Sequence, residues 1–290
     1  MVFIHGSGRR TRDYYCTFAD HFAQHGIAGL VYDKRGVGES TGEFPHDGIS
    51  SFGELANDAL AGLGFLRSRQ NIDGSRIGVW GLSQGGWLGP LAASLSDKVA
   101  FVICVGGPGV DAHTQNNFAI PNLLRADGCT EGEIKEALDD RALWYDLLRT
   151  IDATGDGWDQ LETLANRARG EKWARFVVDE AWFDGGDLRS RLAAAVEEGD
   201  KAYLSHNPRA VLEKVACPVL AIFGGSDVEV PVEDSISVFE EALSKAGNED
   251  YTINVFPGAD HFVMIGDEHA EGYLDTMTGW LQERLDVQRG

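Results

Sequence analysis

The sequence predicts an α/β fold, a doubly wound and mostly parallel sheet that carries a helical insertion. Three observations predict it. Short apolar runs rich in β-branched residues recur along the chain, helical stretches separate them, and one long region breaks the alternation. The runs cover residues 2–4, 28–32, 76–80, 99–105, 219–223 and 251–256. Their apolarity is continuous rather than alternating, as strands buried on both faces require. Between them, Phe18 and Phe22 stand four apart. Leu55, Ala59, Leu63 and Leu66 keep helical spacing, as do Ile236, Phe239 and Leu243, then Tyr273, Met277, Trp280 and Leu281. Such alternation of strand and helix builds a parallel sheet with helices on both faces.

Residues 110–206 contain no convincing strand. Thr130 with Glu133 forms a capping box, and Ile134, Leu138, Leu147, Leu148 and Ile151 follow as a helical stripe. The expected organisation is therefore a core of residues 1–109 and 207–290 and a helical cap of residues 110–206. Residues 152–162 resemble a calcium loop, with Asp152, Thr154, Asp156 and Gly157 at ligand positions. Thr163 stands where the closing glutamate is required, so a solvated turn between helices is expected. Trp158, Trp173, Phe176, Trp182 and Phe183 supply aromatic surface to the cap, and at least half are expected in its own small core.

The 290 residues suit one domain with an insertion, and 43% hydrophobic and 24% charged residues are ordinary for a soluble globular chain. No apolar stretch approaches the roughly 18 residues of a membrane span. A formal net charge of −21 excludes nucleic acid or an anionic membrane as a partner held by a general basic surface. Cys16, Cys104, Cys129 and Cys217 form no CxxC pair, and free thiols in a cytoplasmic protein are expected. The opening segment has neither the basic leader nor the long apolar stretch of a signal peptide.

The strongest chemical signal is Gly81-Leu82-Ser83-Gln84-Gly85-Gly86, set between a strand and a helical stretch. This is the context of a nucleophile elbow, where a tight turn thrusts the serine out at the carboxyl edge of the sheet and small residues let strand and helix cross. Pro90 lies inside that helix and removes one backbone hydrogen bond. Serine needs a base. His261 follows the last strand after Pro257-Gly258-Ala259-Asp260, which puts it on a loop at the same edge. The base needs an acid to fix its tautomer. Asp227 follows the preceding strand through Gly224-Gly225-Ser226, and Glu229 is its nearest rival; Asp260 is read as structural. An oxyanion needs two donors. The backbone N–H of Gln84 is one, and the N–H of Ser7, in His5-Gly6-Ser7-Gly8, is the other; His5 is read as a brace for that loop.

These segments, with Asp33-Lys34-Arg35-Gly36-Val37-Gly38-Glu39-Ser40 and Cys217-Pro218, occur in an order that resembles the α/β-hydrolase superfamily over essentially the whole chain. Within it the chain resembles the branch of serine aminopeptidases, dienelactone hydrolases and acyl-peptidase-like esterases. The resemblance implies that residues 33–40 form a structural turn, in which Asp33 and Arg35 are expected to pair. It also implies two more strands ahead of His5, so the chain is expected to be a shortened form or to tolerate a reduced sheet edge. Serine at the elbow, rather than aspartate, argues against dehalogenase and epoxide hydrolase chemistry.

The reading is a serine hydrolase with Ser83, Asp227 and His261 as catalytic residues, acting on carboxylic esters of small to medium apolar acyl or aryl groups. An aminopeptidase or acyl-peptidase is the alternative, and a non-catalytic binding module the third. A small-molecule ester is the expected partner, a homo-oligomer stays open, and no cofactor or metal is expected.

Overall fold

The computed structural model describes residues 1–44, 52–176, 189–190, 193 and 206–285. Five parallel strands form the central sheet: β1 (Val2–Ile4), β2 (Val79–Leu82), β3 (Val102–Val105), β4 (Val219–Gly224) and β5 (Tyr251–Phe256), in the order β1-β2-β3-β4-β5. Strands β1 to β4 are buried along their whole length, which explains their unbroken apolar sequences.

Alternate strand residues feed two helical layers. Phe3, Trp80, Leu82, Ile103, Val105, Leu220 and Ile222 join a core cluster with α1 (Asp13–Gln24) and the last helix, whose residues Tyr273, Met277, Trp280 and Leu281 bring it onto the same face. On the opposite face, α2 (Phe52–Arg67) and α3 (Gln84–Leu95) pack against each other, α2 against β1, and α3 against β2 and β3. Pro90 lies within α3, as its position in the sequence implies.

The 28–32 run is not a full strand, which corrects the expected count. It contributes a single bridge, Val2 to Leu30, with hydrogen bonds from Leu30 N–H to Met1 O (2.8 Å) and from Phe3 N–H to Leu30 O (3.0 Å). Strand β1 is three residues long, so it offers an edge too short for a longer ladder. The chain thus steps outward from β1 to Leu30 and then returns across it to β2. That reversal makes the carboxyl ends of β1 and β2 the switch point of the sheet, where α/β sheets open a crevice.

The 33–40 turn staples two helices to that switch point, but not as expected. Asp33 and Arg35 do not pair. Asp33 takes both Nε (3.0 Å) and Nη2 (2.7 Å) of Arg12, at the start of α1, and the Glu39 N–H (2.9 Å). Arg35 turns the other way and grips Asp58 of α2 with two bonds of 2.7 Å, with Glu54 at 3.0 Å. A buried carboxylate two residues from a half-buried guanidinium finds its partner on another element because the turn aims the two side chains apart.

Compactness divides the chain into two units, residues 1–44, 51–111 and 207–290 in one, and residues 45–50 and 112–206 in the other. The second contains α4 (Ala112–Ala126), α5 (Glu131–Thr154), α6 (Trp158–Ala168) and a 3₁₀ turn, Ala174–Phe176. The capping box forms: Thr130 Oγ1 accepts the Glu133 N–H and Glu133 accepts the Thr130 N–H. Residues 155–157 turn α5 into α6. Trp173 is fully buried in this unit's own core with Leu124, Leu148 and Leu161, and Trp158 and Phe176 pack against it. Trp182 and Phe183 lie outside the described residues.

In the first unit, α7 (Pro208–Leu212) precedes β4, α8 (Val232–Lys245) packs Phe239 against Phe223, and α9 (Tyr273–Leu285) closes the chain. A two-stranded hairpin, β6 (Met264–Ile265) with β7 (Glu268–His269), was not expected from the sequence. Among the described residues no helix is long and apolar enough to cross a membrane, and all four cysteines are free thiols.

Candidate active site

Strand β2 enters α3 through Ser83, whose φ of 55° and ψ of −115° are rare for a residue with a side chain. Such strain persists only where surrounding bonds over-determine it. Here the Ser83 N–H donates to Val105 O (2.8 Å) and the Gly86 N–H to Ser83 O (2.7 Å). The helix also crosses close to β1: a Cβ on Gly85 would stand 2.6 Å from Ile4 O. Glycine there is a packing requirement, and the result is a serine held at the N-terminus of a helix.

The loop after β1 lies beside it. His5 is buried, and its Nε2 donates to Tyr32 O (2.6 Å). Burial pushes its imidazolium down to about 4, so it stays neutral and braces the loop. The Gly6 N–H donates to the Tyr15 hydroxyl (3.0 Å), and Gly6 and Ser7 both line the cleft with Ser83. Gln84, the first residue of α3, is buried.

Asp227 and His261 meet from the ends of β4 and β5. His261 Nδ1 donates to Asp227 Oδ2 at 2.7 Å, with both side chains buried. The other carboxylate oxygen accepts the N–H groups of Glu229 (2.7 Å) and Val230 (2.9 Å). These three bonds fix the carboxylate, and the Nδ1–H bond leaves Nε2 as the acceptor nitrogen. Nε2 is buried without a hydrogen-bond partner among the described residues. Burial disfavours the His261 imidazolium, but the Asp227 bond and charge, with Glu229 and Asp260 behind them, outweigh it and raise the pKa above its ordinary value.

Two further features hold this loop. Asp260 Oδ1 accepts the N–H groups of Phe262 and Met264, both at 2.9 Å, so its role is structural, and Glu229 is not the residue on Nδ1. Gly106, after β3, backs the imidazole at φ +53°, and a Cβ there would meet His261 O at 2.7 Å and the ring at 3.1 Å.

Of the residues picked out in the sequence, Ser7, Ser83 and His261 line one cleft, Asp227 stands behind His261, and Gln84 follows Ser83. Arg10, Tyr14 and Phe262 also line it and were not foreseen; nor was Gly106. Glu229, considered only as a rival acid, lines the cleft too. Gly106 carries the one readable signal, a Gly-Gly pair directly after a buried strand at the same sheet edge. Among the described residues no group of His, Cys, Asp or Glu could hold a metal ion.

Comparison with known proteins bears on the family and the fold. A polyketide transferase, claH, from Penicillium crustosum is 36% identical over 107 residues, which are 37% of this chain and 34% of that protein's own length. The Pyrococcus furiosus esterase Pf2001 superposes with a TM-score of 0.58 at 16% identity, covering 100% of this chain and 82% of that one. The proline iminopeptidase of Mycobacterium smegmatis gives a TM-score of 0.58 at 19% identity, covering 99% and 90%. The two superpositions speak to the fold alone. The model of the alpha/beta hydrolase family matches residues 1–276, and the chain belongs to that family.

Proposed function

We propose that the protein is a serine hydrolase that cleaves carboxylic esters of small to medium apolar acyl or aryl groups through an acyl-enzyme. The observation that carries this is the buried His261, with Nδ1 committed to Asp227 and Nε2 without a partner among the described residues, in the same cleft as the strained Ser83. In this mechanism Nε2 takes the Ser83 hydroxyl proton as Oγ attacks the carbonyl carbon. The Ser7 and Gln84 N–H groups receive the oxyanion. The imidazolium, stabilised by Asp227, then protonates the leaving alcohol, and water repeats the sequence on the acyl-enzyme. In this reading residues 110–206 act as a cap that sets substrate choice, the protein works in the cytoplasm, and its partner is a small ester.

A second reading, aminopeptidase, has one observation in its favour: Glu229, a carboxylate residue, is among those that line the cleft, and a carboxylate is the group that receives a free ammonium. The cap carboxylates considered for that role, Asp179, Glu180 and Asp184, lie outside the described residues. The test is kcat/KM on p-nitrophenyl butyrate beside alanine and proline p-nitroanilides, at one pH. Ester cleavage with weak anilide cleavage is expected. An anilide value of about 10⁴ M⁻¹s⁻¹ or more, in the ordinary range of dedicated enzymes, would make the peptidase reading the better one.

A further inference from the structure

The loop and the elbow that supply the two oxyanion donors come from different strands, and a single buried side chain joins them. Lys34 is 1% exposed. Its ammonium donates to Gly6 O (3.0 Å), Gly8 O (3.3 Å) and Gln84 Oε1 (2.7 Å). An ammonium has three donors and no acceptor, so these three acceptors satisfy it completely. Among the described residues no carboxylate pairs with it, and its charge lies beside the loop and the elbow.

We propose that Lys34 is a positioning residue that holds both oxyanion-binding segments, the Gly6–Ser7 peptide and Gln84, on one ammonium. The proposal rests on the serine hydrolase reading. The Gly6 carbonyl and the Ser7 N–H belong to one trans peptide and point in opposite directions. Fixing the carbonyl on Lys34 therefore fixes the direction of the Ser7 N–H, on the side away from the ammonium. The bond to Oε1 anchors the side chain of Gln84, whose own N–H is the second donor. The pairing of β1 with β2, through Ile4 and Gly81, brings the two segments side by side, and the bridge fixes the orientation of the peptide beyond the last paired residue. The charge acts in the same sense, since a cation next to both segments favours negative charge developing between them. Burial, with the nearby Arg10, lowers the ammonium to about 8, so it is still mostly charged at neutral pH.

A residue that merely props the fold would affect stability, or KM and kcat together. A residue that sets oxyanion geometry affects kcat and the binding of tetrahedral adducts. The experiment measures kcat and KM on p-nitrophenyl butyrate, and inhibition by an alkyl trifluoromethyl ketone, for the wild type and Lys34→Met, with melting curves for both. The expected result is a fall in kcat of about 100-fold, comparable to losing one oxyanion donor, with KM held within about threefold and ketone affinity reduced by a similar factor to kcat. A folded Lys34→Met variant that keeps kcat within about threefold of the wild type, or loses only KM, overturns the proposal. Should Lys34→Met melt below the assay temperature, Gln84→Leu replaces it. That variant keeps the backbone donor and removes the anchor, and a fall in kcat of about tenfold at constant KM is expected; an unchanged kcat overturns the proposal. A wild type with neither turnover nor labelling by a fluorophosphonate defeats the hydrolase reading itself and this inference with it. An active, labelled wild type beside fully active variants defeats the role of Lys34 alone.

Discussion

The elbow and the histidine loop stand next to groups of opposite charge. On the elbow side stand the N-terminus of α3 and the buried ammonium of Lys34, bonded to carbonyl oxygens of the loop and to Gln84. On the other side, Asp227, Glu229 and Asp260 surround His261 and raise its affinity for a proton. Acyl transfer puts negative charge on the carbonyl oxygen and positive charge on the imidazole in the same step. A site with the charges so divided stabilises both at once, and a uniformly acidic site, in line with the net charge of −21, would not. Overall charge is therefore a poor guide to the field at the reacting atoms.

The comparison can be broken on the acidic side first. His261→Ala removes the proton acceptor and should lower kcat by about 10⁴ to 10⁶, because residues that act as a unit are lost together. Esterase assays on a variant with a wild-type melting curve check it; near-normal turnover would remove His261 from the mechanism. Asp227→Asn keeps the shape but exchanges an acceptor for an amide, and a loss of about 10⁴ in kcat is expected from the wrong imidazole tautomer. If Asp227→Asn is nearly harmless while Glu229→Gln is not, the acid has been misassigned.

Gly106→Ala tests how tightly the imidazole is backed. The added methyl meets His261 O and the ring, and the backbone sits at φ +53°, so a displaced ring and a fall in kcat of about 100-fold are expected. A variant with full activity would mean that the ring has room to move.

Part of this site was legible in the sequence and part was not. Ser83, Asp227 and His261 were legible because strand ends and glycine-rich turns are local features, and a parallel sheet carries all strand ends to one edge. The partners of Asp33 and Arg35 were not. Adjacent opposite charges suggest a pair, yet Arg12 is 21 residues from Asp33 and Asp58 is 23 from Arg35. The 28–32 run read as a strand because its composition is right, but ladder length is set by the neighbouring strand, and β1 offers three residues. The β6–β7 hairpin is two residues a side, below the length at which periodicity exists, although Gly266-Asp267 is a hairpin-turn pair. Lys34 stood in a recognised motif and its task was invisible, since its three acceptors come from two other elements.

The smallest expected effect sharpens the acidic side rather than breaking it. His261 must be neutral to accept the Ser83 proton, and its pKa lies above the ordinary 6.5. The kcat/KM profile should therefore rise with pH, about tenfold per unit on its acid limb, and level off at a midpoint above 6.5. Glu229→Gln, which removes one of the raising charges, should move that midpoint down. A midpoint below 6.5 in the wild type would mean that burial wins over the carboxylates.

The central claim is that Ser83 is the nucleophile and His261 its base. Intact-protein mass spectrometry after treatment with a fluorophosphonate, followed by peptide mapping, tests it most directly. One adduct per chain, on the peptide containing Ser83 and absent from Ser83→Ala and strongly slowed in His261→Ala, is the predicted result. No adduct on a folded wild-type protein, or an adduct that persists in Ser83→Ala, would contradict it.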